Sequence, residues 1–196
     1  MQTRNQENPE EVSRLFIGIR PDTRTQQFLD GLTSQAKRQL GSDKRDRIRW
    51  TSHANRHLTL AFLGETPDRL IPQIEQRLAQ IATAQPRCSG RIVSLNPFPQ
   101  RRSSLLAAEL LTNPDLDKLH QSCRELMMDL GMKPERATYR PHVTLARSRR
   151  GFARLEPLML EYTMPIDNLV LYQSHVAPGG SQYLPLFEAL LGETGN

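Results

Sequence analysis

His57-Leu58-Thr59-Leu60 and His142-Val143-Thr144-Leu145 are one phrase written twice in a chain of 196 residues. Polar and branched apolar residues alternate in each copy, the period-two pattern of a half-buried strand. Side chains two apart on a strand share a face. Each copy therefore shows a His and a Thr on one side and turns Leu58 and Leu60, or Val143 and Leu145, toward a core. A strand, a helix and a turn region precede each phrase, which predicts one α+β unit used twice.

Outward from the phrases, residues 14–19 read as a short buried strand closed by Pro21. Asp22 or Thr23 can cap a helix in which Phe28, Leu29 and Leu32 recur at helical spacing as far as Gly41. A charged loop (42–47), a strand fragment (48–50) and a polar connector (51–56) lead to the first phrase, which Gly64 is expected to end. Residues 67–84 read as a second helix with Leu70, Ile71, Ile74, Leu78 and Ile81 as its apolar stripe. Strands at 91–95 and 104–111 flank a Pro/Arg-rich turn, and a third helix runs from Asn113-Pro114 to Gly131. After the second phrase come a strand at 166–175, a turn at Pro178-Gly179-Gly180 and a last strand at 183–191. The order is β-α-β-β-α-β-β-α-β-β-β, with mixed or antiparallel sheets and helices on their outer faces. Residues 1–13 read as a disordered leader. Residues 14–196 read as one bilobal domain, because no low-complexity linker separates the halves.

With 37% hydrophobic and 24% charged residues the composition is that of a globular chain rather than a disordered one. No apolar run reaches bilayer-spanning length, and the polar N-terminus does not read as a secretory signal, so no membrane partner is expected and the expected compartment is the cytoplasm. Cys88 and Cys123 lack metal or redox spacing and read as buried or bystander thiols. A net charge of +5 permits a polyanionic ligand. Arginines gather at 101–102 and at 147, 149, 150 and 154, the second group beginning just past the second phrase.

Opening a phosphodiester needs a base to deprotonate water and an acid to protonate the leaving oxygen, on opposite sides of phosphorus. Histidine is the side chain whose ordinary pKa lets one copy be neutral and another charged near pH 7. Each Thr hydroxyl can donate to a non-bridging phosphate oxygen, where charge builds in the transition state. Arg147 offers a planar cationic fork for phosphate. Its odd spacing from His142 puts it on the wrong face of a regular strand, so it can serve only if the strand ends or bulges near Ala146. A lone His-x-Thr is commonly structural; two with the same apolar interleaving point to function. Metal is not expected, since two histidines fall short of the three protein ligands of a catalytic zinc, and no cofactor motif appears. Of the other histidines, His53 reads as a rim residue, His120 as a helix-surface residue, and His175 as a strand-end residue within reach of a cleft.

The flanks carry a resemblance. Arg14-Leu-Phe-Ile-Gly-Ile19, Asn55-Arg-His-Leu-Thr-Leu-Ala-Phe-Leu-Gly-Glu65, Arg140-Pro-His-Val-Thr-Leu-Ala-Arg147 and Leu171-Tyr-Gln-Ser174 with Tyr183 resemble the two-histidine (2H) phosphoesterases. Within them the chain is similar to the RNA 2′,3′-cyclic phosphodiesterases, also called 2′-5′ RNA ligases. The resemblance implies an α+β, bilobal fold: two pseudo-symmetric lobes of mixed or antiparallel sheet with outer helices around a central cleft. It implies RNA with a 2′,3′-cyclic phosphate end as substrate, opened to a 2′-phosphate by a monomer without metal or cofactor, and 2′-5′ joining as the same chemistry reversed. It also implies His57 as proton donor, His142 as proton acceptor, Thr59, Thr144 and Arg147 as phosphate ligands, and Phe62 as a base-stacking surface or a core residue. Arg20 departs from the family pattern, standing where relatives are often neutral or acidic. Two other readings share the pocket: a 2H enzyme acting on 2′-5′ oligonucleotides, cyclic ADP-ribose derivatives or small cyclic nucleotides, and a non-catalytic RNA-end binding module. Binding alone does not need an acid–base pair, which argues against the last.

Overall fold

Three helices lie over one long sheet in the computed structural model, which describes residues 10–41 and 47–192. Residues 1–9 of the expected leader and 42–46 of the expected loop lie outside these. Strand β1 (Val12–Ile19) starts two residues earlier than the sequence suggests. Helix α1 (Thr23–Leu40) is capped by Asp22, whose carboxylate accepts from the Thr25 amide at 2.7 Å, and it buries Leu29, Leu32, Ala36 and Leu40. β2 (Arg49–Trp50) and a 3-10 turn (His53–Asn55) precede β3 (Leu58–Pro67). Gly64 does not end β3: at φ 72 it takes up a bulge opposite Leu15, a conformation that suits glycine, and the strand continues to Pro67. Helix α2 (Ile71–Ala84) consequently begins later than 67, after a 3-10 turn at Asp68–Leu70.

β4 (Cys88–Phe98) and β5 (Leu105–Leu111) form a hairpin, and α3 (Pro114–Asp129) starts at Asn113, whose side chain accepts from the Leu116 amide at 3.0 Å. Then follow β6 (His142–Arg147), β7 (Leu158–Ile166), β8 (Asn168–Ala177) and β9 (Gly180–Leu190). β7 is the strand the sequence reading lacks. Its inward residues Leu158, Leu160, Tyr162, Met164 and Ile166 do alternate, but Pro165 and Glu161 mask the run. The proline is tolerated because β7 lies at the sheet edge.

The sheet order is β7-β4-β5-β6-β3-β1-β8-β9, every pairing is antiparallel, and β2 is an extra partner of β6. The two phrase strands β3 and β6 sit at the centre, with three strands outside each. β1-α1-β3 and β5-α3-β6 are equivalent units, so the duplication expected from the phrases is a duplication of strand–helix–strand. Each helix crosses to the other lobe. Phe28 of α1 stacks on Tyr162 of β7 with ring centroids 4.0 Å apart, and α3 packs beneath β3. Leu58, Leu60, Val143 and Leu145 enter one continuous core with Leu29, Ile74, Leu78, Leu119 and Leu126 from the helices. The opposite sheet face, with the His and Thr residues, is left for a cleft. Cys123 is buried in the core and Cys88 half-buried, both as free thiols. Among the described residues no helix is long and apolar enough to cross a membrane.

Candidate active site

The two phrases meet at a single bridge, Leu58 with Val143. Continuing the antiparallel register one residue each way sets His57 level with Thr144 and Thr59 level with His142. The four polar side chains thus make a two-by-two patch with a His beside a Thr in both directions. Each imidazole is locked in the same manner: His57 Nδ1–H donates to the Asn55 carbonyl at 2.8 Å, and His142 Nδ1–H to the Arg140 carbonyl at 2.9 Å. The carbonyl two residues upstream fixes the tautomer, leaving each Nε2 free for chemistry.

The face on which Arg147 lies is decided by a bulge. In the β5–β6 register Leu106 pairs with Ala146 and Ala107 with Thr144, so Leu145 is an extra residue. In the β1–β3 register Ile17 pairs with Ala61 and Gly18 with Thr59, so Leu60 is the extra residue. The last residue of each phrase is therefore bulged. Two consecutive side chains then point coreward and the alternation resumes one step out of phase. Both six-residue runs, 57–62 and 142–147, read half-buried, buried, half-buried, buried, buried, exposed. The bulge turns Arg147 and its counterpart Phe62 into the cleft. The carbonyls the bulges free are also satisfied: Leu60 O accepts from His120 Nδ1 at 2.8 Å, and Leu145 O from the Thr51 amide at 2.9 Å.

Aromatic walls hold the histidines. Phe16, Tyr172 and Tyr183 surround His57, with centroids 4.6, 5.8 and 5.0 Å from its ring, and Phe98 stacks on His142 at 4.1 Å. Gly18 permits the close fit on β1: a Cβ there would lie 2.9 Å from Leu58 O and 3.6 Å from the His57 ring. Asn55 ties the first phrase to β9, donating to Ser181 O at 2.8 Å and accepting from the Tyr183 amide at 3.1 Å. Arg140, in the corresponding place of the second phrase, donates to Glu109 at 2.6 and 3.2 Å and to Pro99 O at 3.0 Å. Glu109 stands directly across β5 from His142. The same step along β1 from the Ile19–Leu58 pair reaches Arg20, which pairs with Glu188 at 3.1 Å. The two lobes therefore carry opposite charges at matching positions.

Burial is the main cause that brings the His57 pKa down to about 4; the Asn55 carbonyl pulls it up, and the positive charges of His142 and Arg147 push it down. His142 is also lowered, first by burial, against upward pulls from the Arg140 carbonyl and the Glu109 carboxylate, with the Arg140 and Arg147 charges adding to the lowering.

The open cleft over the patch has a volume of about 900 Å³, and its lining includes His57, Thr59, Phe62, His142, Thr144 and Arg147. Phe62 is 47% exposed, which removes the core reading for it. Of the arginine cluster at 147–154, only Arg147 lines the cleft; Arg101 and Arg102 do not. The cleft's other arginines, Arg14, Arg49, Arg124 and Arg140, come from β1, β2, α3 and the connector before β6, and Glu135 is the one acid among the described lining residues. His120 is not a surface residue: half-buried, it lines the cleft and stacks on Tyr139 at 3.8 Å, while Tyr139 Oη donates to Thr59 O at 3.1 Å. His53 is exposed and pairs with Asp30 at 2.8 Å, as a rim residue would; His175 is exposed and outside the lining. Among the described residues no group of three or more His, Cys, Asp or Glu is placed to hold a metal ion.

The chain is 30% identical over 133 residues to the RNA 2′,3′-cyclic phosphodiesterase of Bacillus subtilis, covering 65% of this chain and 73% of that protein. It is 27% identical over 149 residues to the protein of the same name from Aeropyrum pernix, covering 72% and 85%. The fold is shared with TT0787 of Thermus thermophilus (TM-score 0.76, 22% identity, 92% of this chain and 99% of that one). It is shared too with Escherichia coli LigT complexed with 3′-AMP (TM-score 0.71, 22% identity, 92% and 99%). A model of the 2′-5′ RNA ligase superfamily matches residues 21–177, four-fifths of the length, and with it the chain belongs to that family.

Proposed function

We propose that the chain is an RNA 2′,3′-cyclic phosphodiesterase acting without metal as a cytoplasmic monomer. The carrying observation is the reciprocal patch, in which each imidazole, its Nδ1 committed to a backbone carbonyl, stands beside the Thr of the other strand. A cyclic phosphate seated there has an imidazole on either side. His142 Nε2 takes a proton from water as the water oxygen bonds to phosphorus. The P–O3′ bond breaks, and His57 Nε2–H delivers its proton to O3′, leaving a 2′-phosphate. Thr59, Thr144 and Arg147 stabilise the non-bridging oxygens as they gain charge, and Phe62 offers a face for the terminal base.

The lobes' asymmetry favours this division. Glu109 stabilises the imidazolium that forms on His142, the acceptor, whereas the low pKa of His57 makes its conjugate acid a ready donor. In the free protein both imidazoles are neutral at pH 7; the entering phosphodiester anion offsets the charge of Arg147 and raises the proton affinity of His57. Two expected results follow. RNA ending in a 2′,3′-cyclic phosphate is converted to a 2′-phosphate end in the presence of chelator. A 3′-phosphate product, or activity that only metal restores, refutes the reading; the position is read by sensitivity to an enzyme selective for 3′-phosphates. The profile of kcat/KM, which reports free-enzyme groups, should be a bell with its acid limb near pH 4 and its alkaline limb below pH 6.5. That of kcat should lie at higher pH. A kcat/KM maximum above pH 7 counts against the assignment.

A further inference from the structure

Arg49 of β2 stands directly across from Arg147 of β6. Opposite residues of an antiparallel pair have Cβ atoms about 4.5–5.5 Å apart on one face, where like charges repel. Both arginines line the cleft, and neither is ion-paired with a described carboxylate. Of the cleft's other arginines, Arg140 is engaged with Glu109 and Arg124 with the Glu135 carbonyl at 2.6 Å. Two adjacent guanidiniums that face a cleft and pair with no carboxylate among the described residues form a site for an anion, which relieves the repulsion and accepts their forked donors.

The surroundings keep that place open. β3 leaves the edge of β6 after the Leu58–Val143 bridge, and β2 takes over the same edge at Ala146 and Arg147. The turn between β8 and β9 forms the opposite wall, with Gly179 at φ 102 and Gly180 at φ 134. Arg49 Nη1 lies 3.5 Å from where a Cβ on Gly180 would be, so any longer side chain there would crowd the guanidinium. Along β6 the arginine pair lies three residues beyond Thr144, roughly 7–10 Å at the rise of a strand. That is a step of about one nucleotide from the reacting phosphate.

We propose that Arg49 and Arg147 form a second anion subsite that takes the phosphodiester on the 5′ side of the terminal nucleotide, so that an RNA strand is preferred to a single nucleotide. The proposal rests on the phosphodiesterase reading above. Arg147 spans the reacting phosphate and its neighbour, and Arg49 serves the neighbour. The test compares kcat/KM for a nucleoside 2′,3′-cyclic phosphate with that for a dinucleotide bearing the same end, and with a dinucleotide whose internal linkage is an uncharged methylphosphonate. The wild-type protein should prefer the charged dinucleotide at least tenfold over both others. Arg49→Gln should reduce that preference about tenfold, and Arg49→Lys should restore part of it. An unchanged preference in Arg49→Gln overturns the proposal, as does equal use of the neutral-linkage dinucleotide by the wild type. An equal fall on all substrates overturns it too, by assigning Arg49 to the reacting phosphate or the fold. If the wild type turns over none of the three, the activity reading fails. Titration of a 2′-phosphorylated dinucleotide, charged or neutral in its linkage, against wild type and Arg49→Gln then still decides the subsite.

Discussion

Replacing His57 or His142 by Ala is expected to lower kcat by about 10²–10⁴-fold, the range for a positioned acid or base, with the far-ultraviolet spectrum unchanged. Each imidazole sits on the cleft face of its strand, so the shared core of Leu58, Leu60, Val143 and Leu145 is untouched by either change. In the proposed mechanism the two histidines act in one step, so the double variant should be little worse than the poorer single one. The roles themselves are separable. A diester with an aryl leaving group needs no proton at the departing oxygen. His57→Ala should recover most of its loss on such a substrate, and His142→Ala should not. Recovery by His142→Ala alone would exchange the donor and acceptor, and undiminished activity in either variant would remove the two-histidine mechanism.

Arg147→Ala is expected to lower kcat/KM by about 10²–10³-fold, the cost of losing one preorganised donor to developing charge. Arg147→Lys should recover only part of it, because an ammonium cannot present the planar fork. Arg149→Ala and Arg150→Ala, two and three residues further on, should stay within about threefold of wild type, since both side chains are exposed outside the cleft. Equal losses across the three positions would mean that general positive charge, not the bulge-directed placement of Arg147, holds the substrate.

The phrases were legible in the sequence because a strand's period is two and both copies keep it. The helices were legible through their apolar stripes and, for α1 and α3, their caps. The bulges were not: whether Leu60 or Leu145 is an extra residue depends on its partner strand, a non-local fact. The spacing of Arg147 therefore looked unfavourable until the β5–β6 register placed the bulge at Leu145. Arg14, Arg49, Arg124 and Arg140 are scattered through the chain, and only the topology gathers them around one cleft. His120 carried the signature of an ordinary helix residue; its part appears only when Leu60 O needs a donor. Phe62 left two readings open that exposure settles, and Arg20 acquires meaning only when set against Glu109.

The lone Leu58–Val143 bridge has a mechanical consequence. Every other strand junction on the main path of the sheet is laced by several paired residues, but the line between the two histidine-bearing strands has one rung among the described residues. The gap between the two imidazoles is therefore gauged by the crossed helices, which work as tie rods: α1 braced on β7 through Phe28 and Tyr162, α3 braced beneath β3. Alignment of the two imidazoles is a property of the far side of the molecule as much as of the cleft.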